Sequence, residues 1–227
     1  METEATGWSL PDSVVDSVVT LLEQPWRGVA KHVSGELRSA VMRVEAATGT
    51  ASRIRARDVC GGGAHVFRWA LRQGCPWPPE DCMAVAAELG ALDVLQLGVK
   101  LEFPKDTQVC RRAARSGKLL VLRWARAAGY PWGAWTCASA AQGGHFRVLR
   151  YLRQAGCPWD EWTCAFAAGS GHLGLLRWSR KQGCPWDDRV SYHAARHGQL
   201  ALLKWARSRG CPWSASTTEQ AATGGHL

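Results

Sequence analysis

One four-residue motif recurs along this chain and limits its possible folds more than any other feature. Gly-Cys-Pro-Trp begins at residue 74 and returns at residues 129, 156, 183 and 210, with tyrosine in place of cysteine in the second copy. The last four copies are 27 residues apart, and Phe103-Pro104 marks one more unit in the longer interval after the first copy. A short fixed period indicates stacked repeats, because each unit can bury its apolar face only against its neighbours.

Within each unit the pattern predicts two helices joined by turns. In residues 159–185, a first helix is expected at 161–168 and a second at 172–181, where leucines and a tryptophan fall on one face. Asp160 is a suitable N-cap for the first helix. Gly183 ends the second helix, and the proline that follows prevents its continuation.

The repeat region contains no strand pattern, so we expect an all-α fold. The expected architecture is an α-solenoid of about six helix–turn–helix units over residues 51–227, preceded by a helical segment over residues 1–50. The sequence ends at Leu227, where the second helix of the last unit should begin. We therefore expect a truncated last unit with an exposed apolar end.

A family resemblance is carried by residues 162–173, which read Trp-Thr-Cys-Ala-Phe-Ala-Ala-Gly-Ser-Gly-His-Leu, and by the same pattern in residues 134–157. The core Ala-Ala-x-x-Gly-His-Leu, followed by paired leucines, resembles the ankyrin repeat. The resemblance covers roughly residues 55–227 and is to a short Gly-Cys-Pro-Trp form known from algae and giant viruses. It implies that the first helices line a concave groove that binds a macromolecular partner. About six residues are missing where ankyrin repeats carry a β-hairpin, so binding through such hairpins is not implied.

The N-terminal segment carries a different pattern. Leu10-Pro11-Asp12 is followed by spaced valine and leucine pairs and later by Val33-Ser34. This arrangement resembles an F-box, which would imply a ubiquitin-ligase substrate adaptor that binds Skp1. The alternative is a helical cap that shields the first repeat from water.

Charge is distributed unevenly along the chain. Residues 1–50 hold seven acids and four bases, a net charge of −3, and residues 51–227 hold 24 bases and 12 acids, a net charge of +12. No apolar run is long enough to predict a membrane span, and the first residues do not resemble a secretory signal. We therefore expect a cytoplasmic or nuclear protein without a membrane partner. The nine cysteines are not expected to form disulfides there.

Catalytic and metal-binding patterns are weak. The cysteines recur in two repeat phases without a C-x-x-C pair, which favours small buried packing residues over zinc ligands. His193 and His197 stand four residues apart but lack the glutamate of the zinc-protease motif. No Gly-x-Ser-x-Gly elbow or phosphate-binding loop occurs. We therefore expect neither an enzyme nor a cofactor or metal site.

Two sets of residues are candidate binding surfaces. The first is a contact strip at variable positions of the first helices, where invariant positions should serve stacking: Arg112, Ser139, Phe166, Tyr192, His193 and Gln220. The second is a pair of basic ladders on the second helices: Arg123, Arg150, Arg177 and Lys204, and, three residues later, Arg126, Arg153, Arg180 and Arg207.

The favoured interpretation is a scaffold that binds a protein of unknown identity through the contact strip. The ladders could form a solvated outer face, or they could bind an anionic partner such as an acidic protein surface or nucleic acid. Nucleic acid is the less favoured partner, because packing accounts for the periodic tryptophans better than stacking on bases does.

Overall fold

The computed structural model describes residues 56–72 and 78–225, and all the regular secondary structure in these ranges is α-helical. The prediction of an all-α fold is confirmed. In chain order the helices are α1 (Ala56–Gly61), α2 (Ala64–Arg72), α3 (Pro79–Leu89), α4 (Leu92–Lys100), α5 (Thr107–Arg115), α6 (Leu119–Ala127), α7 (Ala134–Gln142), α8 (Phe146–Gln154), α9 (Glu161–Gly169), α10 (Leu173–Lys181), α11 (Asp188–Arg196), α12 (Leu200–Ser208) and α13 (Ala215–Thr223). The helical segment and F-box resemblance expected in residues 1–50 lie outside the described residues, as does the first Gly-Cys-Pro-Trp turn.

The chain divides into two compact regions, Met1–Pro76 and Trp77–Leu227. In the first region, α1 packs against α2, and Val59, Cys60 and Phe67 are buried. The second region contains α3 to α13 and is a helical-repeat solenoid. From α5 onwards, both the first and the second helices of the repeats begin at intervals of 27 residues.

In the second region, successive repeats pack against one another mainly through their first helices. Each of α5, α7, α9 and α11 packs against the first helix of the unit before and the unit after it, and against the second helix of its own unit. Paired alanines such as Ala140-Ala141 and Ala167-Ala168 are fully buried on these helices. Side chains this small let neighbouring helices approach closely, while leucines such as Leu149 on the second helices fill the space behind them.

The turns are held by side chains that the repeat supplies at fixed positions. The Asp160 side chain accepts a hydrogen bond from the backbone N–H of Trp162 at 3.2 Å, which confirms the predicted N-cap of α9. The buried Cys184 Sγ–H donates to the carbonyl oxygen of this same Asp160 at 3.4 Å. In the preceding unit, Cys157 donates in the same way to the carbonyl oxygen of Gly133 at 3.4 Å. The turn cysteines are therefore buried hydrogen-bond donors that join the two ends of a unit.

Successive units also interlock at the glycines that end the first helices. Gly144 has a φ of +73°, a conformation that L side chains rarely adopt. A Cβ atom at Gly144 would lie 2.5 Å from Cε1 of His172, in the next unit. Gly117 and His145 repeat this arrangement one unit earlier. The glycine is therefore required both by the turn and by the histidine packed over it.

No helix within the described ranges has the length and the apolar character that are needed to cross a membrane.

Candidate functional site

A group of aromatic side chains forms a partly exposed surface on the first helices, and we call it the aromatic strip: Trp135, Trp162, Phe166 and His193. Trp135 lies on α7, Trp162 and Phe166 lie on α9, and His193 lies on α11. Trp162 and Phe166 are four residues apart on one helix, so their side chains share a face. The 27-residue period places residues of the neighbouring units beside them.

The rings of the aromatic strip are in mutual contact across three units. Trp135 stacks on Trp162 with 5.6 Å between ring centroids and 26° between ring planes. Phe166 lies 5.8 Å from Trp135, 5.4 Å from Trp162 and 5.9 Å from His193. Trp135 remains 46% exposed, and the other three are partly exposed. An aromatic surface of this kind, left open on folded helices, is typical of a protein-binding site.

Two arginines lie over the indole rings of the strip. The guanidinium of Arg111 is 5.7 Å from the ring centroid of Trp135, and that of Arg189 is 4.6 Å from the ring centroid of Trp162. Arg189 also pairs with Glu161 at 2.9 Å. Arg111 has no ion pair among the described residues, and its buried Nε has no hydrogen-bond partner there. Arg111 is therefore a cation of this surface that can pair with an acidic group of a partner.

The surroundings of His193 favour its neutral form. Burial lowers its pKa, and the nearby charges of His197 and Arg196 lower it further. His197 stacks on His193 at a centroid distance of 6.4 Å, and its Nδ1 contacts the backbone carbonyl of His193 at 2.9 Å. The two stacked imidazoles therefore contribute flat aromatic surface to this end of the strip.

The structure brings only part of the predicted contact strip together. Phe166 and His193 are in contact, as their shared repeat position predicts, and Tyr192 lies 5.3 Å from His193. Arg112 is exposed and pairs with Glu88 of the preceding unit at 3.1 Å.

Other positions of that strip contribute little to this surface. Gln220 is partly exposed on α13, outside the three units that form the aromatic strip. The expectation that Ser139 faces outward is wrong, because only 6% of this residue is exposed. The large side chains next to it in the repeat, Trp135 one turn earlier on α7 and Phe166 at the equivalent position on α9, have ring centroids 5.8 Å apart, and a serine is too short to extend beyond them.

Sequence reasoning missed the two tryptophans of the strip. Trp135 and Trp162 occupy a position that is glutamine in α5 and arginine in α11. This variation was itself a signal, because stacking positions keep one residue type through the repeats. Both tryptophans precede the contact-strip position by four residues and therefore lie on the same helix face.

The later of the two basic ladders has a structural role that the sequence did not indicate. Each of its arginines lies over the tryptophan six residues further on, with guanidinium-to-centroid distances of 4.6, 4.1, 4.2 and 5.2 Å for Arg126, Arg153, Arg180 and Arg207. Arg153 also donates to the carbonyl oxygen of Cys157 at 2.6 Å, and Arg180 donates to that of Cys184. These arginines are fixed on the turns of their own units.

The earlier ladder makes contacts between units. The guanidinium of Arg123 is 5.5 Å from the ring of Tyr151, and that of Arg177 is 5.5 Å from the ring of Trp205, each in the following unit. Arg150 and Lys204 occupy the equivalent positions and are exposed. All four lie on second helices, so the predicted arrangement of the ladders on one set of helices agrees with the structure.

No protein-family model and no curated protein matches this sequence.

Proposed function

We propose that this chain is a protein-interaction scaffold that binds a protein partner through the aromatic strip on its first helices. The supporting observation is that four aromatic rings from three successive units are in contact with one another and remain open to solvent. Tryptophan and arginine are the residue types most enriched among energetically dominant interface positions. The partner is expected to bring an apolar side chain to Trp135 and Phe166, and a carboxylate to Arg111.

The resemblance of the repeats to ankyrin repeats supports the same function, because such repeats serve mainly as binding surfaces. Under this proposal the chain carries no catalytic, metal or cofactor site. It functions in the cytoplasm or nucleus. Arg112 and Tyr192, which lie on first helices beside the strip, would contribute to the rim of the interface.

The proposal is tested by affinity purification with the intact chain, followed by binding measurements on the purified pair. Trp135→Ala and Phe166→Ala should each weaken binding about 30-fold, the change expected for loss of a dominant interface side chain. Leu120→Ala is the matched control, because Leu120 is 70% exposed on α6, a second helix. A partner whose affinity falls with the strip variants and not with the control supports the proposal. A partner equally sensitive to all three variants, or to none, contradicts it.

A narrower form of the proposal makes the chain a ubiquitin-ligase substrate adaptor. It depends on the resemblance of the N-terminal segment to an F-box and is tested separately with purified Skp1. Binding that is lost when Leu10 and Pro11 are both replaced by alanine supports the adaptor role. If Skp1 does not bind, the N-terminal segment is a cap and the scaffold function is unaffected.

A further inference from the structure

The second helices α6, α8, α10 and α12 carry cations and no acidic residue. Residues 107–227 contain 17 lysines and arginines and five acids. All five acids belong to the first-helix side of the units: Asp160, Glu161, Asp187, Asp188 and Glu219. In these units the ion pairs are formed by Arg112 and Arg189 on first helices, and the cations of α6, α8, α10 and α12 form none among the described residues.

Two cavities on this face are lined by equivalent residues of successive units. The larger, about 610 Å³, is lined by Arg177, Arg180, Lys181, Trp186, Trp205 and Arg209. The smaller, about 300 Å³, is lined by Arg150, Arg153, Gln154, Trp178 and Gln182. Each residue of the smaller cavity stands 27 positions before a residue of the larger one. The cavity is therefore a product of the repeat itself, formed where one second helix meets the next.

Three arginines of these cavities, Arg153, Arg177 and Arg180, are held against aromatic rings. Arg180 lies 4.2 Å over the Trp186 ring and donates to the Cys184 carbonyl, so one of its five N–H donors is used. Arg177 lies over Trp205 at 5.5 Å. A guanidinium fixed against an indole has already lost the side-chain entropy that binding an anion would otherwise remove. The remaining N–H groups suit the oxygens of a phosphate.

The form of the surface favours a linear polyanion over a small one. The same cationic cavity occurs at two successive units, and neighbouring packed helices are roughly 10 Å apart. Trp178 and Trp205 line the smaller and the larger cavity beside the arginines. Cationic grooves interleaved with aromatic rings are typical of proteins that bind single-stranded nucleic acid, in which phosphates meet the cations and bases stack on the rings. A duplex keeps its bases paired and would leave the rings without this role.

We propose that the second-helix face of α8, α10 and α12 binds single-stranded nucleic acid through these repeated arginine–tryptophan cavities. Phosphates contact Arg150 and Arg177, with Arg153 and Arg180 behind them, and bases contact Trp178 and Trp205. This surface is distinct from the aromatic strip and independent of the proposed scaffold function. The periodic tryptophans both pack the units and line the binding surface.

The test is the binding of the intact chain to a fluorescent oligodeoxythymidine of 12 nucleotides, measured by anisotropy between 50 and 300 mM salt. Each phosphate contact to a single strand contributes about −0.7 to the slope of log K against log salt. The double variant Arg150→Ala/Arg177→Ala should therefore reduce the slope by about 1.4, and weaken binding about 25-fold at 0.1 M salt. The matched control is Arg112→Ala/Arg196→Ala, which removes the same charge from first helices. Thermal melts of both variants confirm that they fold.

The control variant should change the affinity less than about threefold, since its charges act only from a distance. An equal loss in both double variants would overturn the proposal, because it would show attraction by net charge alone.

Two competitors test the identity of the ligand. An abasic strand with the same number of phosphates should bind at least about fivefold more weakly, because each stacked base contributes to affinity. Equal binding of the abasic strand, or of a DNA duplex of the same length, would overturn the assignment to single strands. Poly-glutamate that competes as well as the oligonucleotide would overturn the assignment to nucleic acid in favour of an acidic protein.

Discussion

Alanine at Gly144 tests whether the units interlock in the way that the structure shows. Gly144 and Gly156 both end helices with similar positive φ angles, +73° and +77°. They differ in surroundings: a Cβ at Gly144 would lie 2.5 Å from His172 of the next unit, whereas a Cβ at Gly156 would have no atom within 4 Å. Gly156→Ala is therefore a control that carries the backbone strain without the clash.

The size of the two effects follows from these geometries. Alanine in the left-handed region costs about 1–2 kcal/mol, and this is the full effect expected at Gly156. At Gly144 the imidazole of His172 must also move, and overpacking of this kind costs about 1–3 kcal/mol more. For a chain of this size, 1 kcal/mol corresponds to a Tm shift of about 2–4 °C. An additional 2 kcal/mol should therefore lower the Tm of Gly144→Ala about 4–8 °C below that of Gly156→Ala.

Thermal unfolding followed by circular dichroism measures both variants, and a third variant isolates the clash. His172→Ala removes the ring that the new methyl group would meet. We therefore expect Gly144→Ala to cost less in the His172→Ala background than alone, with a coupling free energy of about 1–3 kcal/mol. Equal losses at Gly144 and Gly156, or no change in the cost when His172 is removed, would refute the interlocking of units through this contact.

Two further predictions concern the turns and the buried thiols. Arg153→Ala should lower the free energy of unfolding in urea by about 1–2 kcal/mol, because it removes the hydrogen bond to Cys157 and a cation–π contact. Arg150→Ala is the control and should change the free energy of unfolding by less than about 0.5 kcal/mol. Equal effects of the two variants would contradict the role of Arg153 in holding the turn. Burial raises the pKa of Cys110 from 9.0 in the unfolded chain to about 12 in the folded protein. Above pH 9 the thiol ionises in the unfolded chain but stays protonated in the folded protein. The free energy of unfolding should therefore fall by about 1.4 kcal/mol per pH unit as the pH rises from 9 towards 12. Urea unfolding between pH 8.5 and 10.5 should show a shallower alkaline loss in Cys110→Ala, and an unchanged slope would count against this assignment.

The repeat period predicted the fold because it constrains neighbours as well as helices. Residues 27 positions apart occupy equivalent places in adjacent units, so the contact of Phe166 with His193 followed from the sequence. The cap at Asp160 also followed, because capping depends on residues only two or three positions away. Local rules and the period together therefore account for the helices, their ends and their stacking order.

Exposure within the site could not be predicted in the same way. Ser139 varies between units as a surface residue would, yet rings from its own helix and from the next unit leave it buried. The cation–π contact between Arg153 and Trp159 depends on the path of the turn that connects them, and no residue pattern specifies that path. Both results depend on the three-dimensional placement of large side chains, and the sequence records only that such side chains are present.

The most direct test of the central claim, that the 27-residue unit is the element that stacks, is the measurement of helicity and unfolding after removal of one unit. Deleting residues 161–187 joins Asp160 to Asp188 and places α11 where α9 lay, against α7. Circular dichroism should show unchanged helicity per residue and one cooperative unfolding transition. Deleting only residues 161–172 removes α9 and places α10, a second helix, directly after α8, where a first helix is needed, and should lower both the helicity and the cooperativity. Equal behaviour of the two deletions, whether both fold or both fail to fold, would contradict the account.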